Sequence, residues 1–254
     1  MLRNRVIPAL LLNQTGLVKT TQYKNPKYVG DPINVIRIFN DKEVDELLLL
    51  DIYASKEKRE PNYNLIKELA GECYMPMTYG GGISNFEQAD KIFSCGVEKI
   101  CLQNAVIYNP SFISDLAKYF GTQSIMISVD VKKNSFGQPS FFHASEEKIL
   151  ELDLLSLIKK FVNAGAGEIL LNVVDKEGTL SGPDLKLIQR ISQLIEVPLI
   201  AAGGISSLAD IKAAVDAGAS AVAAGAFFVY YGPHKAVLIT YPKYSELEKL
   251  LKKE

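Results

Sequence analysis

YGGGIS at 79–84 and AAGGIS at 201–206 are two copies of one turn, and the spacing between them decides the fold. A shift of 122 residues lays one on the other. The same shift places Glu46 on Glu168, Pro61 on Pro183, Leu65-Ile66 on Leu187-Ile188, Pro76 on Pro198 and Gly96 on Gly218. Isolated matches of Gly and Pro carry little weight. A fixed offset kept at matching points of successive units means two similar halves, about 1–122 and 123–254.

Outward from these turns, β-rich runs alternate with amphipathic stretches. Strands are expected at 5–12, 46–51, 76–79, 97–102, 124–130, 168–174, 198–202 and 220–224. Helical periodicity fills the gaps, in PINVIRIFNDKEV, NYNLIKELAGE, NFEQADKIFSC, PSFISDLAKYF, ILELDLLSLIKKFVNAG, DLKLIQRISQLI, SLADIKAAVDAG and YSELEKLLKKE. Eight of each in 254 residues is the count of a closed, parallel (β/α)8 barrel forming one α/β domain. An open doubly wound sheet is the alternative. Its first strand usually enters a glycine-rich phosphate turn, whereas here the first strand runs into QTGLVKTT.

Composition narrows the function classes. Lys+Arg 28 against Asp+Glu 29 gives a net charge of -1, which speaks against broad phosphate neutralisation on a nucleic acid. The apolar run in MLRNRVIPALLLNQ is too short to span a bilayer and lacks a small-residue cleavage site, so neither a membrane segment nor a signal peptide is expected. Three cysteines without a CxxC pair suit a reducing cytoplasm. With His143 and His234 the only imidazoles, no metal centre and no cofactor is expected.

The paired turns carry the ligand expectation. Glycines at strand-to-helix turns let backbone N–H groups approach an anion, and the following helix adds its positive end. Gly81 and Gly82 pair by position with Gln103 and Asn104 after strand four; Gly203 and Gly204 pair with Ala224 and Gly225 after strand eight. Two such sites across a barrel mouth suit an elongated ligand with two phosphate-like groups; tight turns alone are the plainer account. Asp51, Asp130 and Asp175 each stand near a strand end. In SIMISVD, an uncharged run leads to Asp130, a candidate general acid or base. Glu177 can supplement these acids or cap a turn, and Lys19 offers a cation at the same mouth.

The opposite end carries Arg5, Glu46, Lys99 and Glu168 at the starts of strands one, two, four and six. Alternation along a strand points Arg5 inward with Ile7, Ala9 and Leu11, Lys99 with Cys101 and Gln103, and Glu168 with Leu170 and Asn172. Two cations and two anions can close the floor as a ring of ion pairs, or can simply face water.

VIPALLL, the LVKTT run, VGDPI, DELLLLDI, the two glycine turns, GTQSIMISVDVKK, GAGEILL and DKEGTLSGPD together resemble the cyclase subunit of imidazole glycerol phosphate synthase along nearly the whole chain. The resemblance implies a lyase-type barrel enzyme with a glutaminase docked on its floor and ammonia passing to a bisphosphate ligand at the mouth. It implies that Arg5, Glu46, Lys99 and Glu168 form the ammonia gate, and that Thr78 lines the channel. Asp45 and Glu98 match positions that meet the glutaminase, Asp130 matches a catalytic aspartate, and Gly178 in DKEGT joins the phosphate set.

The chain departs from this pattern at several points. Leu11 stands where the second catalytic aspartate belongs, Glu177 replaces an Asp, and Gln103 replaces an Asn. HASEEKILELD replaces a Gly-rich segment, and FFVYYGPHKAVLITYP lengthens the end. These departures resemble a paralogous group that works with a glutaminase and an ATP-using amidotransferase in acetamidino modification of bacterial surface sugars. A phosphorylated or nucleotide-linked ligand is then expected. A histidine-pathway cyclase and a non-catalytic activator of the glutaminase are the alternatives.

Overall fold

The computed structural model describes residues 4–252. Eight strands form the barrel: β1 Arg5–Asn13, β2 Leu47–Asp51, β3 Met77–Gly80, β4 Lys99–Leu102, β5 Ile125–Lys133, β6 Glu168–Val173, β7 Leu199–Ala202 and β8 Ala221–Ala224. Each pairs in parallel with the next, and β8 with β1 closes the ring. The barrel therefore has no open sheet edge, and the doubly wound alternative falls away.

The helices are α1 Pro32–Asp41, α2 Tyr63–Glu72, α3 Phe86–Ser94, α4 Ser111–Phe120, α5 Leu154–Asn163, α6 Leu185–Ser192, α7 Leu208–Asp216 and α8 Tyr244–Leu251. Their starts are written in side chains. Asp31, Asn62, Asn85, Asp153, Asp184 and Ser207 each accept from a backbone N–H three residues on. These caps fall into three pairs, each separated by the same 122 residues as the glycine turns.

Strand alternation divides the core in two. Ile7, Leu48, Cys101, Met126, Leu170, Ile200, Ala221 and Ala223 point into the barrel and pack as one cluster. Their neighbours, such as Val6, Leu49, Ile127 and Leu171, point outward under the helices. Buried on both faces, the strands read as continuous apolar runs.

The structure differs from the expected elements at the mouth. An antiparallel hairpin, Gly16–Thr21 with Lys24–Gly30, rises from β1 where no strand was expected. β5 runs to Lys133 instead of ending at Asp130, because its last residues pair with Pro139–His143. The stretch expected to be helical from Ile149 begins as the strand Lys148–Leu150, and its helix starts only after the Asp153 cap. An apolar pair every three or four residues does not separate a short strand from a first helical turn. The tail after β8 folds into a short helix, Ala226–Val229, and a two-stranded ribbon, Tyr230–Tyr231 with Ala236–Val237.

Candidate functional site

A cavity of about 400 Å³ opens at the carboxyl ends of the strands. In this architecture the loops there carry the chemistry, while the strands hold them in place. Gly81, Gly82, Gln103, Asn104, Gly178, Gly203, Gly204, Ala224 and Gly225 all line it, so the residues expected at two anion sites share one cavity. Lys19, Asp51, Asp130 and Glu177 line it as well; Asp175 does not. Asp175 lies in the turn Val174–Lys176, where its carboxylate accepts from the Lys133 backbone N–H at 2.8 Å. Its carboxylate is thereby spent on the end of β5 and not on the cavity lining.

The glycines are required by packing as well as by any ligand. Gly203 has φ +96°, and a Cβ there would sit 2.6 Å from the Val173 carbonyl oxygen. Gly81 meets the Asp51 carbonyl in the same way. Gly225 leaves room for the Lys19 side chain, which a Cβ would approach to 2.9 Å.

Asp130 is the acid held most deliberately at the mouth. It is 4% exposed and accepts from Ser128 Oγ at 2.8 Å. Burial pushes its carboxyl above the ordinary value, while hydrogen bonds from Tyr23, Ser128 and Gln103 act to lower it. The nearby cations are taken elsewhere: Lys19 pairs with Glu177, and Lys132 lies over the Phe142 ring. Across the mouth, Leu11 presents a methyl surface beside Ala9 and Leu50.

The other acids are committed. Glu177 forms a buried ion pair with Lys19, and its second oxygen accepts from Tyr23 N–H at 3.1 Å. Burial pulls the Lys19 ammonium down to about 7. One Asp51 oxygen takes Arg59 at 2.7 Å and the amides of Tyr53 and Ala54, the work of a turn cap. Tyr23, half-buried on the cavity wall with its hydroxyl held by Asn172 beside Asp130, is the residue sequence reasoning missed. It falls in a polar run, TTQYKN, whose hairpin carried no expected strand.

At the other end the ring of charges is closed. Arg5 reaches Glu46 at 2.6 Å and Glu168 at 2.7 Å; Lys99 reaches the same two carboxylates at 3.1 Å. Thr78 donates its hydroxyl to Glu46 at 3.0 Å. Burial acts to lower the Arg5 guanidinium, but the Glu168 and Glu46 carboxylates outweigh it and hold it above its ordinary value. Asp45 and Glu98, beside the ring, accept from the Val6 and Met77 amides at 3.0 and 2.8 Å, so both also secure strand starts.

A closed parallel barrel with matched glycine turns at its mouth agrees with the comparison by sequence family. The model described as histidine biosynthesis protein matches residues 5–235. The chain belongs to this family. It is 49% identical to a Pseudomonas aeruginosa protein provisionally named imidazole glycerol phosphate synthase subunit hisF2, covering 98% of this chain and 99% of the relative. A Leptospira borgpetersenii protein, also provisionally named for subunit HisF of that synthase, is 47% identical over 98% and 99%. The Exiguobacterium sibiricum imidazole glycerol phosphate synthase subunit HisF is 35% identical over 90% and 91%. Within the described residues, no group of three or more His, Cys, Asp or Glu is placed to hold a metal ion, and no helix is long and apolar enough to cross a membrane.

Proposed function

We propose that this chain is the ammonia-using, cyclase-type barrel subunit of a glutamine amidotransferase of the imidazole glycerol phosphate synthase kind. The observation that carries the proposal is the closed floor ring of Arg5, Glu46, Lys99 and Glu168, with Thr78 bonded to it, directly below the barrel that ends at Asp130. A fully paired ring holds its charges at fixed positions across the floor of the lumen. A glutaminase docked over it, against Asp45 and Glu98, would release ammonia where only the ring separates it from the lumen.

At the mouth, the two glycine-lined regions hold the ends of a phosphorylated ligand by backbone N–H groups. That places its middle against Asp130, whose carboxylate takes a proton from ammonia as the nitrogen adds to a carbonyl carbon of the ligand and the carbonyl π pair moves onto its oxygen. The names of the relatives support this reading, and so does the match of the family model. The test is growth of a histidine auxotroph lacking its own cyclase subunit. Rescue by this chain with a cognate glutaminase is the expected result; no rescue, with both proteins folded and bound to each other, overturns the histidine-pathway assignment.

A second reading is favoured by one observation. Leu11 removes the acid from β1, and relatives with provisional names stand at 46–49% identity while those named without reserve stand at 34–35%. In this reading the same gate feeds ammonia to a different acceptor, an acetamidino-forming reaction on a bacterial surface sugar, with an ATP-dependent amidotransferase as a further partner. Leu11→Asp separates the two. If it creates cyclase activity in a chain that lacks it, the second reading gains; a chain already fully active without it removes that reading.

A further inference from the structure

The cavity wall holds one carboxylate that is neither ion-paired nor spent on capping, and that is Asp130. Its register partner across the β5–β6 ladder is Asn172, which also points inward. Above this pair sits the tip of the β1 hairpin. The Asn172 amide donates to the Tyr23 hydroxyl oxygen at 2.6 Å, which sets that hydroxyl beside the carboxylate of Asp130, the register partner of Asn172, close enough to act on it as a donor. With its oxygen occupied by an N–H donor, the phenol proton is the one left to give to the carboxylate.

We propose that Tyr23 is the positioning residue of this site: its hydroxyl, held between Asn172 and Asp130, aims the carboxylate that meets the ligand. The inference rests on the proposed function only in taking Asp130 as the group that faces the ligand.

The backbone of the hairpin tip argues that this side chain is wanted there. Thr21 pairs with Lys24, so Gln22 and Tyr23 form a two-residue turn, and both have positive φ, 53° and 64°. Asn-Gly is the residue pair that such a turn accepts at least cost; a bulky ring in the left-handed region costs on the order of 1 kcal/mol. The strain is held by three anchors on the loop after β6. Gln22 N–H donates to the Glu177 carbonyl at 2.9 Å, Tyr23 N–H to the Glu177 carboxylate at 3.1 Å, and the Gln22 amide to the Asp175 carbonyl at 2.7 Å. The ring itself stands edge-on to Phe142, with centroids 6.0 Å apart. A strained residue fixed from every side, with its one polar atom on the acid, is the pattern of a functional constraint.

Two hydroxyls therefore serve Asp130, Ser128 from its own strand and Tyr23 from the hairpin. Both favour the ionised carboxylate and oppose the effect of burial. The remaining titratable groups sharing the cavity are Asp51, capped by Arg59, Tyr53 beside it, Cys101 from β4, Lys132 from β5, Lys24 from the hairpin, Lys56 and Glu147 at the rim, and the Lys19–Glu177 pair. The Cys101 thiol is pushed up by burial and by Asp130 and Glu168, so it stays neutral through the working pH range.

The test is a ¹³C titration of the aspartate carboxyls in the full-length, ligand-free chain, with Asp130 assigned by the signal lost in Asp130→Asn. Tyr23→Phe is expected to raise the Asp130 midpoint by roughly one pH unit, a tenfold change in proton affinity. Asn172→Leu, which leaves Tyr23 in place but removes the donor to its oxygen, is expected to move it the same way by less. In the complex with its glutaminase, the acid limb of the kcat profile should rise with the carboxyl midpoint, with KM changed far less than kcat. An unchanged or lowered midpoint in both variants overturns the proposal. If the midpoint moves but the wild-type complex uses no ammonia, Tyr23 keeps its role and the proposed function falls. If the complex turns over and the midpoint stays fixed, only the role of Tyr23 falls.

Discussion

Asp130 is a buried carboxylate whose ionisation works against stability. Its folded carboxyl is raised above the ordinary 3.8, so between those two values the folded chain binds more protons than the unfolded one. Stability then falls as pH rises through that window and stays lower above it. Asp130→Asn is therefore expected to be more stable than the wild type at pH 7, by about 1 kcal/mol, while losing activity. The gap should close as pH falls below 3.8; urea unfolding across pH measures it, and an equally stable variant at pH 7 contradicts the assignment. Glu46 has the opposite character. It is 3% exposed and holds Arg5, Lys99 and Thr78 together, so Glu46→Ala leaves two cations sharing one carboxylate. Removing one partner of a buried network costs about 3 kcal/mol, which chemical denaturation at neutral pH should show.

At the scale of elements, the barrel strands and their helices were written in local pattern, because each strand is apolar on both faces and most of the helices begin on a capping side chain. The mouth hairpins were not. Gly16–Gly30 is half polar and exposed on its outer strand, and its turn uses Gln22-Tyr23 where the expected signal is Asn-Gly or Asp-Gly. The glycine turns were legible, but for a reason only the packing reveals. Gly203→Ala would drive a Cβ toward the Val173 carbonyl at positive φ, whereas Gly137, at φ +74°, has open space around it. Gly203→Ala should cost about 2 kcal/mol or more and Gly137→Ala about 1 kcal/mol, the left-handed penalty alone. Paired thermal unfolding of the two variants checks this, and equal losses would mean that the close approach is not what requires glycine.

The whole molecule separates two polar ends by an apolar waist. Ile7, Leu48, Cys101, Met126, Leu170 and Ile200 fill the lumen between the floor ring and the mouth. If ammonia enters through that floor, a variant that loosens the ring without touching the mouth should uncouple supply from use. Lys99→Met is expected to lower the glutamine-driven rate about tenfold while the rate with added ammonium salt changes much less. Parallel assays of the complex with each nitrogen source decide it; an equal fall in both would place Lys99 in the chemistry of the mouth or in the stability of the barrel. The tail after β8 closes the same unit from outside. Leu238 and Thr240 N–H donate to Val229 and Phe228, and the Tyr241 hydroxyl reaches the Val6 carbonyl at 2.8 Å.

The 122-residue offset, kept by YGGGIS and AAGGIS and by the matches around them, together with eight strand–helix units, was enough to read the barrel. Alternation along the strands put Arg5, Lys99 and Glu168 on inward faces but left open whether they met one another or water; the closed ring of ion pairs is a tertiary fact. Which acids remained free was decided by the tertiary structure. Asp51, Asp175 and Glu177 have the same chemistry as Asp130, and nothing local marks three of them as turn caps and docking points. Only the closure of the barrel, bringing a hairpin from the first strand over the ladder between the fifth and sixth, set Tyr23 on Asp130 and spent the others elsewhere. Hydrogen-bond partners distant in sequence leave no trace in either segment until the chain is folded.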